Sequence, residues 1–266
     1  PPEDVIKSLR KPLGQFRTYL NGFLVRKMWE YGIKLSTLSY ASRIELASTY
    51  EIPEKAVKVV YNGVPGPSVE NFGNIERRGS SFVVGFVGNI GRNKRWDVAV
   101  DAVVRLKKNC KDKDIKLLIA GQGPEVDRLR KYISPYSEFI EYLGEVRSAG
   151  SSLIPFLDCL VLPAEHEGQP MVILEAMACG VPSIATSVGA IPETIKHGET
   201  GFIISSASSA DLSYYLNYLM DHPQIRTQMR ENCMREWKTR FSVEVMGNNY
   251  MQLYKEILSE KGSMNS

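Results

Sequence analysis

From Ser81 onward the chain alternates short apolar runs with stretches of helical period, and this alternation restricts its fold more than any other feature. Phe82–Val87 is continuously apolar, as a parallel strand buried on both faces is. Val98–Leu106 has helical spacing, with Val100, Val103, Val104 and Leu106 as its apolar positions. The series continues with a strand at Lys116–Ala120, a helix at Glu125–Tyr132, a strand at Phe139–Leu143, a short helix at Ser148–Phe156 and a strand at Cys159–Leu162. Further short strands are expected at Ser183–Ala185 and Gly201–Ile204, and a helix at Ala210–Met220. Such strict alternation predicts an α/β fold with a Rossmann-like, doubly wound parallel sheet.

The residues before Ser81 read differently. Leu13–Tyr31 is expected as a helix with Phe16, Leu20, Phe23, Leu24 and Met28 on one side and Arg17, Arg26 and Lys27 beside them. Lys34–Leu38 suits a strand, Ser42–Tyr50 a helix capped by Ser42, and Val57–Tyr61 a strand ending at Asn62-Gly63. Pro65–Ser80, rich in Gly, Pro, Asn and Ser, reads as a linker. The block holds too few strands for a complete sheet. The expected organisation is therefore a partial N-terminal segment at 1–64, a linker at 65–80, a main domain at 81–240 and a final helix at 241–266 opened by Phe241-Ser242-Val243-Glu244. The chain begins Pro1-Pro2 rather than with Met, as an internal fragment would.

Composition removes several classes of function. Hydrophobic content of 43% and charged content of 24% are those of an ordinary globular protein. A net charge of +3 gives no footprint for nucleic acid. No run approaches the ~18 apolar residues of a membrane span. The cysteines Cys110, Cys159, Cys179 and Cys233 have no CxxC spacing, and the first three read as small buried hydrophobes in a reducing, cytoplasmic setting. His166, His197 and His222 are too scattered for a metal motif, and Asp112-Lys113-Asp114 lies in a highly charged turn. No metal and no cofactor is expected.

Chemistry concentrates in Glu167-Gly168-Gln169-Pro170-Met171-Val172-Ile173-Leu174-Glu175. A carboxylate follows a strand, a turn leads to Pro170 at a first helical position, and a second carboxylate lies inside the helix. The N–H groups of Met171 and Val172 would point out of the helix start, which is a ready anion site. A second candidate is the loop Gly85-Phe86-Val87-Gly88-Asn89-Ile90-Gly91-Arg92-Asn93-Lys94. Its glycines let backbone approach a phosphate and its cations neutralise one. Its GxxGxxG spacing does not fit the dinucleotide-binding GxGxxG. Gly121-Gln122-Gly123-Pro124 offers a third turn, read equally well as a tight strand-to-helix connection. Glu193, near a helix start, reads as a dipole partner.

These segments resemble those of glycosyltransferase family 4, the retaining nucleotide-sugar glycosyltransferases. Leu174-Glu175-Ala176-Met177-Ala178-Cys179-Gly180 matches the end of that family's Glu-x7-Glu signature, and Ile52-Pro53 with Val59-Val60-Tyr61-Asn62-Gly63-Val64 matches the end of its N-terminal domain. The resemblance covers the chain from about Lys34 to Leu258. It implies a GT-B arrangement of two Rossmann-like domains, with 81–240 binding the donor and most of the acceptor domain lying outside this chain. It implies Glu167 on the donor sugar, Glu175 on the ribose and Lys94 on the diphosphate. Asn89 stands where the family has Arg, and Arg92 is a candidate replacement cation. Gly88, Gly121, Gly123, Gly144, Gly168, Gln169, Pro170, Met171 and Val172 complete the implied donor site, with Leu143-Gly144-Glu145-Val146 reading the base. The implied substrates are a UDP- or GDP-sugar and a glycan or lipid-linked acceptor of polysaccharide biosynthesis. This chain alone is expected to hold the donor site without transferring sugar. Two alternatives share the fold: a nucleotide-sugar 2-epimerase and a non-catalytic nucleotide-sugar binding module. The basic helix at Leu13–Tyr31 reads as the cover of a sheet, and peripheral membrane contact is its other reading.

Overall fold

The computed structural model describes residues 22–67 and 81–264. The chain divides into two compact units. One holds the described residues up to Val60 with those from Met251 onward, and the other is Tyr61–Tyr250.

The smaller unit contains a helix α1 over 22–30, β1 (Leu35–Thr37), α2 (Tyr40–Tyr50) and β2 (Val57–Val59). The expected helix at Leu13–Tyr31 is described only from 22, and its earlier part lies outside the described residues. β1 and β2 pair in parallel, so with α2 they form a βαβ crossover. The cap of α2 is Ser39 rather than Ser42. Ser39 is fully buried and its Oγ accepts from the Ser42 N–H at 3.0 Å, which starts the helix two residues before the sequence reading placed it. Ala47, Ile52 and Val57 form a small core with Val25, Leu35 and Leu46. Lys58 pairs with Glu256 at 3.0 Å.

In the larger unit a six-stranded parallel sheet is built from β3 (Phe82–Val87), β4 (Ile115–Ala120), β5 (Ile140–Gly144), β6 (Cys159–Leu162), β7 (Ser183–Thr186) and β8 (Gly201–Ile204). The order is β5-β4-β3-β6-β7-β8, the doubly wound arrangement, and it reverses direction between β3 and β6. The crossovers are α3 (Trp96–Asn109), α4 (Val126–Ile133), α5 (Ala149–Ser152), α6 (Met171–Ala178) and α7 (Ile191–Thr194), followed by α8 (Ser209–Asp221), α9 (Pro223–Glu236) and α10 (Val243–Met264). α10 is divided between the units after Tyr250.

Alternation along the strands separates two cores. Phe82, Val84 and Phe86, Ile115, Leu117 and Ile119, Cys159 and Val161 pack with α3 and α8 on one face. Leu160, Leu162 and Ala185 pack with Ile173, Leu174, Ala176 and Met177 of α6 on the other. Trp96 is fully buried at the start of α3, and its Nε1 donates to Glu125 Oε2 at 3.0 Å. No helix among the described residues is long and apolar enough to cross a membrane.

Several local expectations change. Ser148–Phe156 is one turn of helix followed by a tighter turn at Ile154–Phe156, because Pro155 interrupts it. α9 is absent from the sequence reading: its strongly polar composition leaves little apolar period, yet it buries Met229 and Cys233. The last helix begins at Val243, after a stretch of π-helix at Trp237–Phe241, with the Ser242 Oγ accepting from the Val245 N–H at 3.3 Å. Cys110 is only partly buried, at the end of α3, whereas Cys159, Cys179 and Cys233 are buried. Burial pushes the Cys179 thiol up to about 11 and that of Cys233 up to about 12, so both remain protonated and inert. Of the Asp112-Lys113-Asp114 turn, Lys113 donates to Asn217 at 2.7 Å and Asp114 accepts from Ser81 at 2.5 Å.

At the carboxyl edge of the sheet, main chain lies directly on main chain. Gly121 has φ +141°, and a Cβ there would sit 1.8 Å from the Gly88 carbonyl oxygen. Its N–H donates to the Gly144 carbonyl at 2.7 Å, and the Gly88 N–H donates to Ala120 at 2.9 Å. Gly121→Ala therefore combines an unfavourable backbone with a clash against rigid backbone. It is expected to cost about 2 kcal/mol or more, measured by urea unfolding. A loss under about 0.5 kcal/mol, the scale of a neutral surface change, would contradict this account of the edge.

Candidate functional site

Reversal of strand order opens a crevice between the loops that leave β3 and β6, and ligands of open α/β sheets bind above such a switch point. The β3 loop carries Asn89, Arg92 and Lys94, and the β6 loop carries Glu165, Glu167, Gly168 and Gln169. The two loops are joined by backbone, as the Glu165 N–H donates to the Asn93 carbonyl at 2.8 Å. Beyond this bond the Lys94 ammonium pairs with Glu167 Oε1, a partner 73 positions away. The pair is largely enclosed, with side-chain exposures of 21% and 10%. A cation and a carboxylate withdrawn from water gain less from each other than their desolvation costs unless their geometry is good, so such a pair is weak evidence for stability.

The other loop cations are placed differently. Arg92 extends into solvent, 87% exposed, with its Nε 3.7 Å from Glu125 Oε1. Asn89 is exposed. Arg95, which the sequence reading passed over, has φ +50° and pairs with Asp97 and Glu165.

α6 starts one residue later than expected. Pro170 is its cap residue, with φ −72° and ψ 112°, and Met171 is the first helical position. Proline has no side-chain oxygen with which to close the helix start. The first internal bond is from the Ile173 N–H to the Pro170 carbonyl at 3.1 Å, which leaves the Met171 and Val172 N–H groups without partners among the described residues. The approach to this helix start is held on both sides. Gln169 is buried and its Oε1 accepts from the Asn62 N–H at 2.7 Å. The Gly168 carbonyl accepts from Ala190 at 2.8 Å, and a Cβ on Gly189 would lie 1.9 Å from the Glu167 carbonyl oxygen. Asn62 was visible in the sequence as part of the Asn62-Gly63-Val64 motif and Gly189 was not singled out, and nothing in the spacing of either ties it to the Glu167 loop. Glu193, read as a dipole partner, accepts from the Tyr61 hydroxyl at 2.8 Å.

Glu175 lies four residues after Met171, so the two share a face of α6. The residue is half-buried, and its carboxylate has no hydrogen-bond or ion-pair partner among the described residues. Desolvation raises its carboxyl above the ordinary range. It faces a cavity of about 310 Å³ lined by Pro65, Gly66, Ser148, Gly150 and Cys179 among others. A Cβ on Gly150 would come within 3.2 Å of the Glu175 carboxyl carbon, so Gly150 leaves that carboxyl its present position. Gly88, Gly121 and Gly144 stand side by side at the ends of β3, β4 and β5, and Gly123 packs against Ile90, where a Cβ would lie 2.4 Å from its carbonyl oxygen. Helix start, ion pair, glycine edge and free carboxylate offer an anion cradle, one shielded cation and one acceptor for hydroxyl groups. Among the described residues no group of His, Cys, Asp and Glu is placed to hold a metal ion.

Comparison with known proteins shows what the chain as a whole is similar to. The chain is 27% identical over 244 residues to N-acetyl-alpha-D-glucosaminyl L-malate synthase of Bacillus anthracis, covering 86% of this chain and 62% of that protein. It is 32% identical over 149 residues to a D-inositol 3-phosphate glycosyltransferase of Pseudarthrobacter chlorophenolicus, covering 54% of this chain and 36% of that protein. The chain thus spans less than two thirds of the length of either relative. Among solved structures, Anabaena Alr3699/HepE in complex with UDP superposes with a TM-score of 0.75 at 21% identity, over 84% of this chain and 64% of that one. Sucrose-phosphate synthase from Thermosynechococcus elongatus gives a TM-score of 0.72 at 19% identity, over 86% and 59%. These structural likenesses establish the fold, and the model of the glycosyl transferases group 1 matches residues 69–235, more than half of the chain. The chain belongs to the glycosyl transferases group 1 family.

Proposed function

We propose that this chain holds the donor site of a retaining glycosyltransferase of glycosyltransferase family 4, which moves a sugar from a UDP- or GDP-sugar to a glycan or lipid-linked acceptor. The observation that carries the reading is on α6, where an open helix start and the partnerless carboxylate of Glu175 lie on one face. Four residues of helix span about 6 Å, which suits a diphosphate at the start and a ribose at Glu175. Glu175 would accept from the ribose hydroxyls. Lys94 and the Met171 and Val172 N–H groups would stabilise the charge that builds on the departing diphosphate. Glu167, held by Lys94, would orient the sugar. In the transfer step the bond from the anomeric carbon to the diphosphate breaks with its electron pair going to phosphate. The acceptor oxygen bonds to that carbon on the same face, and its proton passes to a phosphate oxygen. Protein-bound metal is not needed for this step. A nucleotide sugar that binds only the folded chain raises its melting temperature. A thermal-shift panel of UDP-, GDP- and ADP-sugars is expected to yield at least one shift, and a panel without any would overturn the reading.

Glu175→Gln separates binding from stability. Its raised carboxyl means that Glu175 favours the fold when protonated, below its unfolded pKa, and that this contribution is lost as pH rises through the folded pKa. At neutral pH the amide therefore removes a desolvated charge and is expected not to lower the melting temperature. Nucleotide affinity should still fall by about 1.5–3 kcal/mol, the worth of a hydrogen bond to a charged group. Calorimetry with UDP and GDP checks this, and unchanged affinity would remove Glu175 from the site.

Lys94→Ala is expected to weaken diphosphate binding by about tenfold or more, and Arg92→Ala by less than about twofold, because only Lys94 lies in the crevice. Lys94→Ala also strands Glu167, so affinities are compared well below its lowered melting temperature. Equal affinities of the Lys94→Ala and parent chains would refute the assignment.

A further inference from the structure

Arg95 is the residue that the preceding reading leaves without a task. It stands between Lys94 and the buried Trp96, with φ +50° and ψ 46°, a left-handed conformation that favours glycine. A side chain kept there at a conformational cost calls for a compensating interaction, and such positions gather at functional sites. The compensation is visible in the guanidinium. Its Nε and Nη2 meet the two oxygens of Asp97 at 3.2 Å and 3.3 Å, a two-point contact with the first turn of its own helix. Its remaining arm, Nη1, donates to Glu165 Oε1 at 2.8 Å, across the crevice in the loop after β6. Both partners hold its proton more firmly than usual, Asp97 most of all.

Asp97 fixes the direction of the guanidinium, and Glu165 receives it. The Arg95–Glu165 link is one of three between the same two loops, beside the Asn93–Glu165 backbone bond and the Lys94–Glu167 pair. Glu165 is half exposed, so its ion pair alone is weak. Its effect comes from position: it pins residue 165 so that the short stretch from there to Glu167 is anchored at the crevice edge. We propose that Arg95 is a positioning residue, a latch from α3 to the β6 loop that keeps Glu167 and the start of α6 in register with Lys94. The proposal rests on the donor-site reading and deepens it, since the latch acts through the Lys94–Glu167 pair.

Two variants remove the latch from opposite ends. Arg95→Gly suits the left-handed backbone, so its melting temperature is expected to stay within about 3 °C of the parent or to rise. Glu165→Gln retains shape and loses the charge. Amide hydrogen exchange reads the latch itself. The Glu165 and Ala190 N–H groups, which bond to Asn93 and Gly168, should exchange about tenfold faster in either variant, with β6 amides unchanged. Calorimetry reads its consequence. Affinity for UDP or GDP, whichever the parent binds, should fall about fivefold or more in each variant, and by no more in the double variant, because one link is lost in all three. Parent-like exchange at Glu165 would overturn the latch. Faster exchange with parent-like affinity would overturn its role in positioning the site, as would additive losses. A parent chain that binds neither nucleotide would sink the donor-site reading and the positioning role with it, while exchange at Glu165 would still report whether the loops are latched.

Discussion

Sheet order turns back on itself between β3 and β6, and the candidate site depends on that reversal. Strands on either side send their crossovers to opposite faces, so the loops leaving β3 and β6 separate above the carboxyl edge instead of packing over it. Lys94 and Glu167, 73 positions apart, meet in the resulting crevice. α6 begins four residues after Glu167, and its start is uncapped because Pro170 ends the loop with no oxygen to offer its amides. Everything proposed for diphosphate and sugar follows from these two loops leaving adjacent strands.

Small residues make the edge approachable. Gly121 over Gly88 and Gly123 against Ile90 replace side chains with backbone contacts, so the ends of β3 and β4 are lowered where a ligand would lie. The same economy holds Gly189 against the Glu167 carbonyl. Rigidity on that side has a clear source: Gln169 is buried on the Asn62 N–H, and Gly168 accepts from Ala190. Such a frame positions a charged pair without requiring the pair to contribute stability, which an enclosed Lys–Glu pair seldom does.

Charge is distributed unevenly through the crevice. Arg92 sits in solvent and Arg95 is neutralised by Asp97 and Glu165, which leaves Lys94 as the cation of the β3 loop that faces inward. Glu175 is the opposite case, a carboxylate without a partner among the described residues, held above its usual pKa by desolvation alone. Groups kept in unfavourable states beside a cavity mark places where local stability has been given up.

Fold class was legible in the sequence for a plain physical reason: parallel strands buried on both faces must be continuously apolar, and their crossovers must be helical. Phe82–Val87, Cys159–Leu162 and Gly201–Ile204 coincide with β3, β6 and β8 on that basis. The two acidic residues of the Glu167–Glu175 segment and the glycine turns were legible too, because helix starts and positive φ leave local marks. α9 was not, since its polar surface dilutes the helical period, and the cap of α2 moved to Ser39 because burial, invisible locally, chose between two serines. Which loop cation faces the crevice is decided by tertiary structure alone. Arg92, Lys94 and Arg95 are near neighbours in sequence, and what separates them is the carboxylate each meets: Glu125, which Arg92 approaches from solvent, Glu167 in the crevice, and Asp97 with Glu165 at its edge. Long-range pairing of this kind has no signature in spacing, because it depends on the order in which strands that are distant in the chain come to lie side by side.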